Sequence, residues 1–205
     1  MTYTLYSMQN SGNCYKPRLL MHQLGIPFRV VDTDSFDGST RTPEYLALNP
    51  NGKVPLLVLP DGRRLAESNA MLLHLAEGTP FLPADRYERT LCYQWLFFEQ
   101  YSHEPCIAVA RSWLSLMPGG REKISAERLA DLHARGHKAL AVMEERLGEA
   151  PWFAGDSYSV ADIALYAYTH VAGDGDFDLA PYPLIRDWLG RVAAVPGHVG
   201  MDGRP

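Results

Sequence analysis

The feature that most constrains this chain is a change of hydrophobic period at GTPFLP, Gly78 to Pro83. Before it, β-rich runs such as TYTLY (Thr2 to Tyr6) and FRVVD (Phe28 to Asp32) alternate with segments of helical spacing. Beyond it the period-two signal stops and helical spacing dominates to about Val195. Proline-punctuated connectors of this kind mark places where few contacts cross. The pattern predicts an α/β domain over residues 1–77, a linker at 78–83 and an all-helical domain over 84–205. With 205 residues, 46% of them hydrophobic, the chain is long enough for two small cores.

Within the first part the order is strand, helix, strand, helix, hairpin, helix. Leu19, Leu20 and Leu24 recur at helical spacing until Gly25 and Pro27 end the run. Pro17 is cheap only in a first turn, where its missing N–H has no partner to lose. The first helix is therefore expected to start close to Asn13 or Cys14, with Ser11 in the loop ahead of it. TPEYLAL (Thr42 to Leu48) reads as a short helix, and LLVLPDGRRLA as a hairpin turning at Pro60, Asp61 and Gly62. ESNAMLLHLAE carries Met71, Leu72 and Leu75 on one helical face. In the second part helices are expected over Arg86 to Met117 (bent at Pro105), Ala126 to Leu147, Val160 to Val171 and Leu184 to Ala194. Ser159 and Asp162 form a capping box, with Tyr158 and Ile163 placed for a hydrophobic staple; both devices are structural. The tail VPGHVGMDGRP is rich in Gly and Pro and predicted irregular.

Composition excludes several functions. A net charge of -5 without a Lys/Arg cluster argues against nucleic acid as partner. No apolar run approaches a membrane span and no basic-then-apolar leader opens the chain, so no membrane association and a cytoplasmic location are expected. Cys14, Cys92 and Cys106 are odd in number and widely spaced, which reads as reduced thiols. Two apparent metal motifs fail. DGDFD (Asp174 to Asp178) is followed by Leu179 where a calcium loop needs glycine and has Ile185 where it needs glutamate. HARGH places His133 and His137 on one face without a zinc hydrolase's glutamate or a third ligand. No metal is expected.

Two predicted helix starts carry the chemistry. Glu67 and Ser68 open the third helix of the first part, where unpaired amides and the positive end of the dipole favour an anion. Met71 holds the position at which a capping-box Glu or Gln would occupy those amides. Ser11 and Cys14 stand at the other start, in SGNC.

Four segments, SGNC, NPNGKVPLL (Asn49 to Leu57), the Glu67-Ser68 pair and FAGDSYSVADIAL (Phe153 to Leu165), together resemble the cytosolic glutathione transferase family over nearly the whole chain. The serine at the first helix start is similar to that of the theta-like and zeta-like classes. The resemblance implies a thioredoxin-like glutathione-binding domain, a helical domain that supplies the pocket for a small electrophile, glutathione as co-substrate, a detoxifying activity and a homodimer. It implies a cis Pro55 that offers the Val54 backbone to the peptide backbone of glutathione. Ser68 falls on the γ-glutamyl carboxylate, Glu67 on the ammonium group and Lys53 on the glycine carboxylate. A free thiol with a pKa of about 8.5 is mostly protonated at neutral pH. The role implied for Ser11 is a hydrogen bond to the glutathione sulfur that favours its thiolate.

Cys14, in the first helical turn, opens an alternative: a glutathione-dependent disulfide reductase or isomerase acting through a mixed disulfide. A non-catalytic glutathione-binding or interaction protein of the same fold is another. Tyr6 lies one residue out of register for a tyrosine-type site, which turns it to the other face of its strand. In the helical domain Glu104, Ala108 and Arg111 fall at i, i+4 and i+7, a face suited to line the electrophile pocket, with Tyr101 and Trp113 as nearby apolar surface.

Overall fold

A computed structural model describes residues 2–204, which fall into two compact units. One runs to Glu77 and takes in the segment from Pro196, and the other is Gly78–Val195. The expected helical domain extended to the C-terminus. In the structure residues 196–204 pack instead with the first unit.

The first unit is built on a sheet of order β2-β1-β3-β4, from β1 (Tyr3–Ser7), β2 (Phe28–Asp32), β3 (Leu56–Val58) and β4 (Arg64–Leu65). β1 and β2 run parallel with Leu5 opposite Val30, β3 runs antiparallel to β1, and β3 and β4 form the expected hairpin. Period two turns Leu5 and Ser7 of β1 into the interior, while Tyr6 stacks edge-on against Tyr45. Around the sheet are α1 (Gly12–Gln23), α2 (Pro43–Leu48) and α3 (Ser68–Ala76). This is the thioredoxin-like arrangement.

α1 begins at Gly12, earlier than the proline suggested, and Pro17 sits in its second turn. The start is set by Ser11, whose hydroxyl accepts the Cys14 amide. The end is a Schellman motif: Gly25 has φ 63 and donates to the His22 carbonyl, and Ile26 donates to that of Met21.

In the second unit the rod predicted over Arg86 to Met117 is broken as expected near Pro105. α4 (Arg86–Phe98) and α5 (Glu104–Arg111) are joined by a π-helical turn, Glu99–His103, and a second such turn, Ser112–Leu116, ends the rod. Pro105 lacks an amide, so the ladder widens ahead of it and Glu104 N–H bonds to the Glu99 carbonyl. There follow α6 (Gly120–Lys123), which sequence spacing did not reveal, α7 (Ala126–Glu149), α8 (Val160–Thr169) and α9 (Pro183–Ala193). The core forms around Trp188, Phe153, Ile163 and Leu140. The capping box is present at Ser159 and Asp162, and the Tyr158 ring lies against those of Phe81 and Trp152.

Candidate functional site at two helix N-termini

Ser11 is the N-cap of α1. One of its lone pairs takes the Cys14 N–H at 3.3 Å, which leaves the hydroxyl its proton to donate. Cys14 is fully buried, and its sulfur accepts the Met8 amide at 3.3 Å. Burial pushes this thiol up, and the neighbouring polar groups of Ser11, Met8 and Ser7 oppose the shift without reversing it. A thiol so placed is a poor nucleophile.

The second helix start lies beside the first. Glu67 is the N-cap of α3, exposed, with no side-chain capping bond and with φ 67 and ψ 112, a conformation that costs a non-glycine residue about 1–3 kcal/mol. Strain held at a helix N-terminus is characteristic of binding positions. With Glu67 as the cap, the capping-box position is Ala70 rather than Met71, and it too carries no carboxylate. Ser68 is buried, and its hydroxyl donates to Asn13 Oδ1 at 3.1 Å, tying α3 to the first turn of α1. The ammonium of Lys16, itself fully buried, donates to Asn13 Oδ1 (2.9 Å), Asn69 Oδ1 (3.2 Å) and Ser68 Oγ (3.4 Å). A full positive charge therefore stands directly behind an N-terminus already suited to an anion.

Sequence reasoning missed Lys16. The signal was there: Lys16 stands three and four residues ahead of Leu19 and Leu20, so a charge sits on the apolar face of α1.

The third element is the loop ahead of β3, where Val54-Pro55 is a cis peptide. The Lys53 carbonyl accepts from the Tyr45 hydroxyl at 2.7 Å and from Asn49 Nδ2 at 2.8 Å, fixing the backbone while the Lys53 side chain stays exposed. Burial pushes the Tyr45 phenol up to about 12, so it remains a donor at any physiological pH. Gly52 has φ 61, and a Cβ there would meet Arg41 and the Thr40 carbonyl, 3.0 Å away. Arg41 is thus packed on this loop.

In the helical unit, Ala108 and Arg111 are buried and Glu104 is half-buried. Arg111 Nε donates to Asp174 at 3.0 Å. Tyr101 is 85% exposed and Phe97 75%, so these aromatics of the rod are on the surface of the unit. The two apparent metal motifs serve each other instead. His133 Nε2 lies 2.9 Å from the Gly175 carbonyl and His137 Nδ1 3.0 Å from the Tyr182 hydroxyl, with both rings against Phe177. Asp176 is paired with Arg121 at 2.9 Å. Among the described residues no group of His, Cys, Asp and Glu is arranged to hold a metal ion.

A thioredoxin-like unit with two joined helix N-termini and a cis proline, followed by an all-helical unit, defines the class to which the chain belongs. Residues 10–77 match the N-terminal domain model of glutathione S-transferases and residues 107–196 the C-terminal one. A glutathione S-transferase structure from Pseudomonas fluorescens is 50% identical with a TM-score of 0.91, covering 98% of this chain and 99% of that one. The disulfide-bond oxidoreductase YfcG of Escherichia coli is 30% identical, over 90% of this chain and 87% of its own. A glutathione transferase from Burkholderia graminis, solved with two glutathione molecules bound per subunit, is 27% identical with a TM-score of 0.81, covering 96% of this chain and 85% of that one. The chain belongs to the glutathione S-transferase family.

Proposed function

We propose that this protein is a glutathione S-transferase that joins the sulfur of glutathione to a small hydrophobic electrophile. The observation that carries the reading is the Ser68–Asn13 hydrogen bond, which brings the N-termini of α1 and α3 together with the Lys16 charge behind them. The γ-glutamyl carboxylate takes the α3 amides, the Ser68 N–H among them, while the Ser68 hydroxyl keeps its bond to Asn13 and Glu67 lies on the ammonium group. The peptide backbone pairs with Val54 ahead of the cis proline, in the manner of an added strand, and Lys53 reaches the glycine carboxylate. The sulfur then lies at the α1 start. The Ser11 hydroxyl keeps its proton and donates a hydrogen bond to the sulfur, stabilising the thiolate, while the thiol proton leaves to solvent. The thiolate attacks an electrophilic carbon, a carbon–sulfur bond forms, and the leaving group departs with the electron pair.

Glu104, Ala108 and Arg111 remain the proposed face for the electrophile. Arg111 is also committed to Asp174, which makes it the most constrained of the three. No described helix is long and apolar enough to cross a membrane, and a cytoplasmic homodimer is the expected form. The exposed Phe97 and Tyr101 offer apolar surface for such a dimer to bury.

The test is turnover of an aryl halide with glutathione by the wild type and by Ser11→Ala. Loss of about 10²-fold in kcat/KM near neutral pH is expected, the scale on which removal of one such donor acts. Equal rates would take Ser11 out of the mechanism.

A second reading, reduction of disulfides by glutathione, is favoured by the similarity to YfcG. The buried Cys14 thiol speaks against routing it through that residue. The version left has one glutathione thiolate attack the disulfide, releasing a thiolate, and a second resolve the mixed disulfide as oxidised glutathione. A binding protein without turnover would still be stabilised thermally by millimolar glutathione.

A further inference from the structure

We propose that the segment Pro196–Arg204 is a strap that positions Ser11, acting through Arg18 and Gln9. The inference rests on the role given to Ser11 above.

After α9 the chain returns to the first unit and runs along α1 without regular structure. Its grip is specific. Gly197, with φ 77, lies so close to the end of α1 that a Cβ would stand 2.9 Å from the Gln23 Cα. The Tyr15 hydroxyl, on a fully buried ring, donates to the Val199 carbonyl at 2.6 Å. The Met201 carbonyl accepts twice, from Arg18 Nη2 at 2.9 Å and from Gln9 Nε2 at 2.7 Å. Arg18 closes the ring, donating to the Gln9 carbonyl at 2.7 Å and to Gln9 Oε1 at 3.0 Å. Arg18 is 1% exposed; its Nη1 and Nη2 make these three bonds, which offset the burial of the charge, while the buried Nε makes none.

Gln9 is two residues ahead of Ser11, in the turn between β1 and α1. That turn is closed by the Ser11 amide on the Met8 carbonyl at 3.2 Å and held to α1 by Met8 N–H on the Cys14 sulfur. Arg18 and Met201 hold it at Gln9. If the strap leaves, the buried Arg18 and the half-buried Gln9 lose their common acceptor, and the turn loses its tie to the strap while keeping its contacts to α1. The hydroxyl of Ser11 then loses the fixed placement on which a single hydrogen bond to sulfur depends.

The experiment uses two variants, one ending at Val195 and one carrying Gly197→Ala, which removes no bonding group and forces the strap off α1. With both, kcat/KM for glutathione and an aryl halide is measured from pH 6 to 9, and hydrogen exchange is followed at the amides of residues 8–11. The expected result is a pH profile displaced upward by about one unit, a rate near pH 6.5 about ten-fold lower and converging at high pH, and faster exchange in that turn. Adding the free peptide PGHVGMDGRP should restore the truncated protein. If truncation prevents folding, Gly197→Ala carries the test. A profile and exchange pattern identical to wild type would overturn the strap. A wild-type rate indifferent to Ser11→Ala would instead overturn the role of Ser11, and the exchange data would then still report whether the strap orders the turn.

Discussion

Gly136 and Gly148 both lie on α7, and the same substitution should move stability in opposite directions at the two. A Cβ at Gly136 would stand 2.5 Å from Phe177 Cζ and closer still to Cε1, where ordinary contacts lie at 3.4–4 Å. Phe177 cannot simply swing aside. Its ring is held edge-on between His133 and His137 at centroid distances of 4.9 and 5.3 Å, and its neighbours Gly175 and Asp176 are fixed by His133 and Arg121. Overpacking of this kind costs roughly 1–3 kcal/mol. At Gly148 the nearest atom to a new Cβ is Leu184 Cδ1 at 3.6 Å, an ordinary contact. Alanine at either position gains up to about 1 kcal/mol of helix propensity, less near the helix end. Gly148→Ala should therefore be neutral to mildly stabilising and Gly136→Ala net destabilising by about 0.5–2 kcal/mol. Urea unfolding followed by tryptophan fluorescence measures both against the wild type. A Phe177→Leu background should recover most of the loss at Gly136, since the clashing ring edge is gone. Gly136→Ala as stable as Gly148→Ala would refute the argument from packing.

Lys16→Met keeps the buried volume and removes the charge behind Ser68. It should raise KM for glutathione about ten-fold, the worth of one charge-assisted hydrogen bond, and change kcat far less. An unchanged KM would show that the cation only joins helices. Asp162 is fully buried, and its carboxyl is pushed up to about 6 from 3.8 by burial, against hydrogen bonds from Phe153, Trp188 and Ser159. Because the folded state then binds this proton more tightly than the unfolded one, stability from this group is present below about pH 4 and lost as pH rises to about 6, by about 3 kcal/mol. Asp162→Asn should remove that fall from the stability–pH curve. Parallel curves for variant and wild type in urea titrations between pH 4 and 7 would contradict it.

What could be read in the chain beforehand was what neighbouring residues decide among themselves. Ser11, Thr42 and Ser159 cap helices because each offers an oxygen to amides two or three residues on, and the hairpin turns at Asp61-Gly62 for equally local reasons. The prominence of Glu67 and Ser68 was legible for the same cause, a helix start with its amides unclaimed. Pro17 misled slightly, because a serine cap outweighed a proline in fixing where α1 begins. The rest turns on partners far along the chain. Nothing adjacent to Lys16 announces Ser68, and nothing near Arg18 announces a carbonyl at Met201. HARGH and DGDFD are the clearest instance. Each looked like a fragment of a metal site because His and Asp are residues that need partners, and in the fold His133 meets the Gly175 carbonyl of the other motif while Asp176 pairs with Arg121 of α6. Chemically demanding residues thus signal that a partner exists without saying what it is. The strap and the Lys16 cluster belong to the same kind: both are buried charges on α1 whose purpose appears only once the chain has closed on itself.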